Sequence, residues 1–378
     1  MKILRSDEIT ALTRSLKTVP VTALLGPRQC GKTFLANQLK AEHYFDLENP
    51  RDLKAFEEPQ LLLEGLAGTV VIDEVQRAPE LFPVLRYLVD SRPKQRYLLL
   101  GSASGVLLRQ SSESLAGRIR YHYLGGLMPK DVGAARLQRL WIRGGYPRSF
   151  LAVSDQESRD WLDQYVTTFL ERDIPQLGIT IPSGTLRRFW TMLSHYHGQT
   201  INYSEIAASF GISDMTVRKY LDILQSTLMI RVLEPWHTNT SKRLVKRPKI
   251  YFRDSGVFHR FLTVENIRQL TGHPKLGASW EGFALEAVIG TLRLMPQETF
   301  FWATHAGAEL DLLWHTKGKR WGAEFKYSDT PKVTKSMLAA IEDLDLAHLW
   351  VVYPGDKTYP LHKKITVLPL HRSEEMKK

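Results

Sequence analysis

One cysteine, Cys30, stands alone in a chain of 378 residues. No intrachain disulfide can form, so nothing points to an oxidising compartment. Long hydrophobic runs are missing too: no window approaches the ~18 apolar residues that would suggest a membrane span. The first ten residues, MKILRSDEIT, interrupt their apolar positions with charges and do not read as a secretory signal. A soluble, cytoplasmic protein is the expectation. Internal repeats and low-complexity stretches are absent, and 43% hydrophobic and 24% charged residues exclude a disordered or fibrous chain. Acidic residues are in the minority, 40 against 51 Lys and Arg, a formal charge of +11. That balance favours an anionic partner, with nucleic acid as the first candidate; the alternative is a solvated basic surface on an ordinary enzyme.

The length exceeds what one hydrophobic core usually serves, so two or three domains are expected. A short helix over residues 1–20 leads into an apolar strand, Val21–Leu25, followed by a glycine-rich turn and a helical pattern over 32–40. Further strand-like runs lie at 43–47, 69–72, 96–100 and 121–124, with a helix at 80–89 among them. Strands alternating with helices predict a largely parallel sheet, and continuous runs such as VVI and YLLL suit strands buried on both faces. Residues 134–230 are mostly helical in pattern. Beyond about 275 the pattern changes to a helix at 279–294, strands at 300–303, 310–314, 320–326 and 349–353, and a helix at 333–344. The expected domains are therefore 1–133, 134–260 and 261–378.

Gly26-Pro27-Arg28-Gln29-Cys30-Gly31-Lys32-Thr33 fits G-x-x-x-x-G-K-[ST] at every fixed position, between an apolar strand and a helix. The glycines let backbone N–H groups turn inward around phosphates, and the helix N-terminus adds positive partial charge. Lys32 can reach the β- and γ-phosphates of ATP, and the Thr33 hydroxyl can ligate Mg²⁺. About forty residues on, Val70-Val71-Ile72-Asp73-Glu74 is an apolar strand ending in two acids. In a phosphate-loop ATPase the first acid holds the metal and the second polarises the attacking water, so the pair implies hydrolysis.

These segments resemble a family of predicted bacterial and archaeal AAA+ ATPases with a characteristic C-terminal domain. The likeness is carried by GPRQCGKTFL, TVVIDEVQRAPELFPVLRYLVD, LLLGSASGVLL and SLAGRIRYHYL. It continues through GGYPR (144–148), FLERDIPQL (169–177), KRLVKRPKIYFRDSGV (242–257) and AELDLLW (308–314), so it spans nearly the whole chain. The resemblance implies an AAA+ P-loop domain with ATP and Mg²⁺ as cofactors, working in a ring or other oligomer, with a hexamer favoured. It places Ser102 at the sensor 1 position, against the γ-phosphate or the water. Arg118, or second Arg120, resembles the arginine finger that AAA+ subunits offer in trans. Phe34 stands where the family pattern often has a second Thr; Thr33 still supplies the metal-facing hydroxyl. Cys30 sits at a variable loop position, as a small filler.

Residues 202–225, NYSEIAASFGISDMTVRKYLDILQ, carry a helix-turn-helix pattern. Ile206, Ala207 and Phe210 are the apolar positions of the first helix, Gly211 permits the turn, Ser213 or Asp214 caps the second helix, and Val217, Leu221 and Leu224 repeat at helical spacing. The strand-like 229–233 fits a wing. Arg218 and Lys219 on the second helix could meet phosphate or base edges of DNA; the other reading is a structural lid. Just beyond, residues 241–249 hold five basic residues in nine, Lys242, Arg243, Lys246, Arg247 and Lys249, a cluster suited to phosphate.

The last module has its own constellation. Glu281 lies on a helix, Asp311 on a strand, and Glu324 and Lys326 on the next strand, where alternate residues share a face. Helix with Glu, strand with Asp, strand with E-x-K and then helix resembles the PD-(D/E)XK restriction-endonuclease-like fold. By that resemblance Asp311 and Glu324, with Glu281 as a further ligand, bind Mg²⁺, and Lys326 orients the water or stabilises the phosphorane. Oxygen-only ligation suits Mg²⁺ or Mn²⁺ and not zinc. The fold class expected is thus α/β and multidomain. It comprises an AAA+ parallel sheet, a helical and winged-helix middle, and a nuclease-like C-terminal domain. The function expected is ATP hydrolysis coupled to binding and remodelling or moving along DNA, with metal-dependent cleavage as a further activity. The alternative is a nucleotide-controlled switch whose nuclease-fold domain is inactive and serves binding or assembly.

Overall fold

A computed structural model describes residues 3–102, 111, 113–237 and 244–376. The chain divides into two compact units, one of residues 1–126 with 226–228 and one of residues 127–225 with 229–378. The segments expected as middle and C-terminal domains thus fall in a single unit. Among the described residues no helix is long and apolar enough to cross a membrane.

The first unit is built on five parallel strands: β1 Val21–Leu25, β2 His43–Asp46, β3 Thr69–Asp73, β4 Arg96–Gly101 and β5 Ile119–Tyr123. Their spatial order is β2-β3-β4-β1-β5. The three inner strands are the apolar runs VTALL, TVVID and RYLLLG, buried nearly throughout, as expected for strands covered on both faces. The edge strands HYFD and IRYHY are more polar and only partly buried. The helix Leu81–Ser91 buries Leu81, Phe82, Leu85, Leu88 and Val89, a stripe at three-to-four spacing that packs into the same core as Val21, Val70, Ile72 and Leu99. Truncating Leu85 to Ala there costs about 2–5 kcal/mol. In this order β1 lies between β4 and β5, and the loops at the carboxyl ends of β1, β3 and β4 open side by side, the usual ligand edge of such a sheet.

The second unit starts with short helices and the helices Asp155–Thr168 and Ser183–His195. The helices Tyr203–Phe210 and Asp214–Ser226 follow, joined at Gly211, whose φ of 64° is left-handed. The Ile212 N–H reaches back to the Ala207 carbonyl at 3.0 Å, closing the first helix. Of the two candidate caps, Ser213 takes the role: its Oγ accepts from the Thr216 N–H at 3.2 Å. A three-stranded antiparallel sheet accompanies these helices, ordered β6-β8-β7, with β6 Gln199–Thr200, β7 Ile230–Leu233 and β8 Lys249–Phe252.

The long helix Leu276–Leu292 introduces a six-stranded mixed sheet. Its strands are β9 Thr299–Ala303, β10 Glu309–Thr316, β11 Lys319–Phe325, β12 Leu346–Tyr353, β13 Tyr359–His362 and β14 Ile365–Pro369. They run in the order β13-β14-β12-β11-β10-β9. β9, β10 and β11 are antiparallel neighbours, whereas β12 joins β11 in parallel after the helix Lys335–Asp343. Trp302, Leu310, Leu313, Met337, Leu349 and Val351 form the core on one face.

One buried polar knot explains two of the sequence segments quoted above. Asp254 caps the helix Ser255–Phe261 by accepting from the Val257 N–H at 2.9 Å, and accepts from the Gly145 N–H at 2.7 Å. A Cβ on Gly144, whose φ is 77°, would stand 2.2 Å from Asp254 Oδ1. Burial raises the Asp254 carboxyl to about 6, against the pull of these N–H groups.

Candidate functional site

The glycine-rich loop at the end of β1 is closed in the way its sequence requires. A Cβ on Gly26 would sit 2.3 Å from the Leu124 carbonyl oxygen, so only glycine lets the loop pass β5 this closely. Gln29 and Gly31 both have left-handed backbones, with φ of 62° and 102°, and Gly31 caps the helix Lys32–Ala36. Pro27, Arg28 and Phe34 fill the remaining loop and first-turn positions, and Arg28 pairs with Glu48 at 3.7 Å. Cys30 is buried, and burial pushes its thiol up even though Lys32 and Arg5 pull the other way. That environment makes it a small packed side chain.

Lys32 is buried, and its Nζ donates to the Gly26 and Pro27 carbonyls, each at 3.0 Å. The ammonium is thereby held across the mouth of its own loop, where phosphate oxygens could take over from those carbonyls. Thr33 Oγ1 donates to Asp73 Oδ2 at 2.7 Å, joining the loop to the end of β3 across forty positions of sequence. The same oxygen accepts from the Tyr44 hydroxyl at 2.6 Å, and Asp73 Oδ1 accepts from the Glu74 N–H at 2.9 Å. Glu74 turns off the strand with φ of 55° and takes a hydrogen bond from Gln76. Burial raises its carboxyl above the ordinary range, against the attraction of Lys32. Nothing in the sequence marks Tyr44: it reaches Asp73 only because β2 lies beside β3, and burial with the Asp73 contact raises its phenol.

Ser102 directly follows β4, at the same edge of the sheet. Arg118 precedes β5 and so lies at the opposite edge, where its carbonyl accepts from the Val21 N–H. Its guanidinium donates Nε and Nη2 to the two oxygens of Asp90, each at 2.8 Å. Arg120 donates to Thr18 Oγ1 at 3.0 Å.

In the second unit, Arg218 and Lys219 are exposed on the helix Asp214–Ser226, and Arg218 lies over the Tyr203 ring at 3.8 Å. Lys246 and Arg247 are exposed, while Lys242 and Arg243 lie outside the described residues. Lys249 corrects the expectation of a uniformly solvated basic cluster: it is only 3% exposed. Its Nζ lies 3.3 Å from Glu281 Oε1 and 4.0 Å from Asp311 Oδ1, and it also pairs with Glu309. Tyr251, two residues along β8, donates to Glu281 Oε1 at 2.6 Å. Burial works against the Lys249 charge, but Tyr251 and the carboxylates of Glu281, Asp311 and Glu309 hold its pKa well above that of an ordinary lysine.

The pairing of Leu312 with Ala323 sets Asp311 opposite Glu324 on adjacent strands. Asp311 Oδ2 accepts from the Phe325 N–H at 2.9 Å, and Glu324 pairs with Lys326 at 2.7 Å. Burial, together with Asp311, raises the Glu324 carboxyl strongly, and burial raises Glu281 to about 7. Glu281, Asp311, Glu324 and Lys326 therefore gather in one region of this unit. Yet no group of three or more His, Cys, Asp or Glu side chains is arranged to hold a metal ion among the described residues. Lys249, Tyr251 and Glu309 join this site only in the fold; the alternation of Lys249 and Tyr251 on one strand face is the sequence signal for it.

Three family models match successive segments. An AAA domain covers residues 18–131, a domain of unknown function (DUF8612) covers 134–268, and a second domain of unknown function (DUF4143) covers 276–372. Two relatives, uncharacterized proteins of Mycobacterium tuberculosis and Mycobacterium bovis, are each 48% identical over 374 residues, 98% of this chain and 84% of theirs. Among solved structures, the Walker-type ATPase of Pyrococcus abyssi is similar at 17% identity and a TM-score of 0.48, over 69% of this chain and 96% of that one. A STAND signal transduction ATPase with a tetratricopeptide repeat sensor from Pyrococcus horikoshii is similar at 13% identity and a TM-score of 0.30, over 78% of this chain and 46% of its own.

Proposed function

Because this chain belongs to the family of the two mycobacterial proteins, which are themselves described only as uncharacterized, its activity has to be argued from its own sites, and we propose that it hydrolyses ATP in its AAA domain and uses the nucleotide cycle to control a DNA-binding second unit. The observation that carries the ATPase reading is the Thr33–Asp73 contact at 2.7 Å, beside a loop whose buried lysine spans its own mouth.

The residues present fit ATP with Mg²⁺. The inward-turned loop and the helix N-terminus suit the phosphates, and Thr33 Oγ1 with Asp73 offers the hard oxygen pair that Mg²⁺ prefers. When bound, the metal would neutralise charge on the phosphate oxygens. Lys32 exchanges its two carbonyl acceptors for phosphate oxygens. Glu74, held beside Asp73 and raised by burial, takes the proton of the attacking water. Ser102, at the same edge, contacts the γ-phosphate or that water. Arg118 lies at the edge away from its own loop, a position that suits a role toward a neighbouring subunit better than one in its own site. That supports a ring, with a hexamer favoured.

DNA binding rests on exposed cations. Arg218 and Lys219 lie on the second helix of a helix-turn-helix pair with an adjoining antiparallel sheet, an arrangement that supports a winged helix. Lys246 and Arg247 add phosphate contacts near the sheet. The helix, three antiparallel strands, helix and parallel strand of residues 276–353 support the nuclease-like reading of the C-terminal module. The lysine inside its acid cluster favours a module that binds and does not cleave, and so favours the nucleotide-controlled switch. The test is ATP turnover with and without single-stranded, duplex and branched DNA, using wild type and Lys32→Ala. Turnover that depends on Lys32 and rises with DNA supports both parts. Lys32-dependent turnover indifferent to every DNA removes the DNA part alone.

A further inference from the structure

We infer that Lys249 is the resident cation of the acid cluster, its ammonium standing in place of the divalent ion that a nuclease-like module would hold between Glu281, Asp311 and Glu324. The inference rests on the nuclease-like reading of that module.

Three observations carry it. First, Lys249 cannot be a surface residue folded inward by chance. It is the first residue of β8, pinned on one side to Leu233 of β7 and on the other to Thr200 of β6, so its side chain has a fixed origin. Second, its ammonium meets Glu281 from the long helix, and Glu309 and Asp311 from one face of β10, acids that come from two separate elements. A buried ammonium with several carboxylates is tolerated, whereas the same carboxylates without a cation would repel one another. Third, one oxygen of each carboxylate that a metal would use already has a partner. Asp311 Oδ2 takes the Phe325 N–H, Glu281 Oε1 takes the Tyr251 hydroxyl, and Glu324 is paired with Lys326. A divalent ion here would have to displace the buried ammonium of Lys249 from Glu281 and Asp311.

The module thereby keeps the carboxylates of a metal site as structural anchors. They fasten β8, and with it the antiparallel sheet beside the helix-turn-helix pair, to the long helix and β10 of the same unit. Phosphodiester hydrolysis by bound Mg²⁺ is not available to such a cluster.

The experiment is Mn²⁺ binding to the full-length, nucleotide-free chain, read by the loss of free-ion electron paramagnetic resonance signal. Wild type, Asp311→Asn, Lys249→Met and Lys249→Met/Asp311→Asn are compared. Any ion held near Thr33 and Asp73 is common to all four and cancels. Wild type and Asp311→Asn are expected to bind alike. Lys249→Met is expected to gain a site at least tenfold tighter than any Asp311-dependent binding in wild type, and the double variant to lose it. An Asp311-dependent Mn²⁺ site in wild type overturns the inference, and this comparison decides it even if Lys249→Met fails to fold. A folded Lys249→Met chain with no gained site overturns it in a different way. The carboxylates would then be no metal cluster at all, and the nuclease-like reading would fall with it.

Discussion

Thr33 and Tyr44 donate to the same oxygen of Asp73, at 2.7 and 2.6 Å. Thr33 belongs to the phosphate loop and Tyr44 to the edge strand β2, so the carboxylate is held between the loop and the far side of its own sheet. The phenol competes for the oxygen that faces the loop. A hydrogen bond to a charged group contributes about 1.5–3 kcal/mol. Tyr44→Phe should therefore lower the Mg²⁺ concentration that half-saturates ATP turnover, by about tenfold or more on that energy scale. The measurement is turnover over a Mg²⁺ series at saturating ATP; an unchanged midpoint would assign Tyr44 a purely structural role.

Glu74→Gln should leave ATP bound and cut turnover by about 100-fold or more, the usual contribution of a positioned proton acceptor. Lys32→Ala should lose tight nucleotide binding altogether. Fluorescent-nucleotide anisotropy and phosphate release, measured on the same preparations, separate the two. Wild-type turnover in Glu74→Gln would take the proton-accepting role away from Glu74.

The exposed pair of Arg118 with Asp90 makes a sharper test of the ring. Asp90→Ala should scarcely change stability, because an exposed ion pair contributes little. Arg118→Ala should reduce turnover by about 10³-fold if the arginine acts on a neighbour. Mixing Arg118→Ala with Lys32→Ala subunits should restore part of the activity, since some interfaces regain both groups. A chain that stays monomeric with a non-hydrolysable ATP analogue refutes the trans role.

Salt dependence tests the DNA surface. Each neutralised phosphate contributes about 0.9 to the slope of log affinity against log salt on duplex DNA. Losing Lys246 and Arg247 together should flatten that slope by about 1.8. Lys249→Met should leave it unchanged, because the ammonium faces carboxylates inside the unit. Anisotropy over a salt series reads both outcomes.

Two buried histidines set an acid limit. His197 accepts from the Phe252 N–H through Nδ1, and His259 meets Ser279 and the Ile142 carbonyl. Burial lowers them to about 3 and about 4. The unfolded chain, with histidine near 6.5, binds more protons than the folded one below that pH. Their contribution to stability is thus full above about 6.5 and is lost as pH falls toward the folded values, at about 1.4 kcal/mol per pH unit for each. Denaturant midpoints between pH 7 and 5 should fall, and His259→Gln should reduce the slope.

The parallel sheet was legible because buried strands must be apolar throughout: VTALL and VVI announce themselves in one dimension. The helix expected over 32–40 stops at Ala36 and continues as a short 3-10 turn, a boundary that packing decides. Of the last two strands, β13 is hard to read because YPLH is a four-residue, partly exposed edge segment containing Pro360, whereas the apolar run ITVLP of β14 carries a strand signal of its own. Lys249 hides for a different reason. A run of basic residues suggests solvent, and only the folded positions of Glu281, Glu309 and Asp311 turn one of them inward. The same limit hid Tyr44, whose partner is a neighbour in the sheet and not in the chain.

The lone cysteine has a practical consequence. Cys30 is packed inside the phosphate loop with its thiol pushed up, so thiol-reactive dyes should pass the folded chain by. Cysteines introduced on the surface can then be labelled singly without first removing the native one. Slow modification of Cys30 itself becomes a clock for the opening of the loop, and a nucleotide that holds the loop shut should stop that clock.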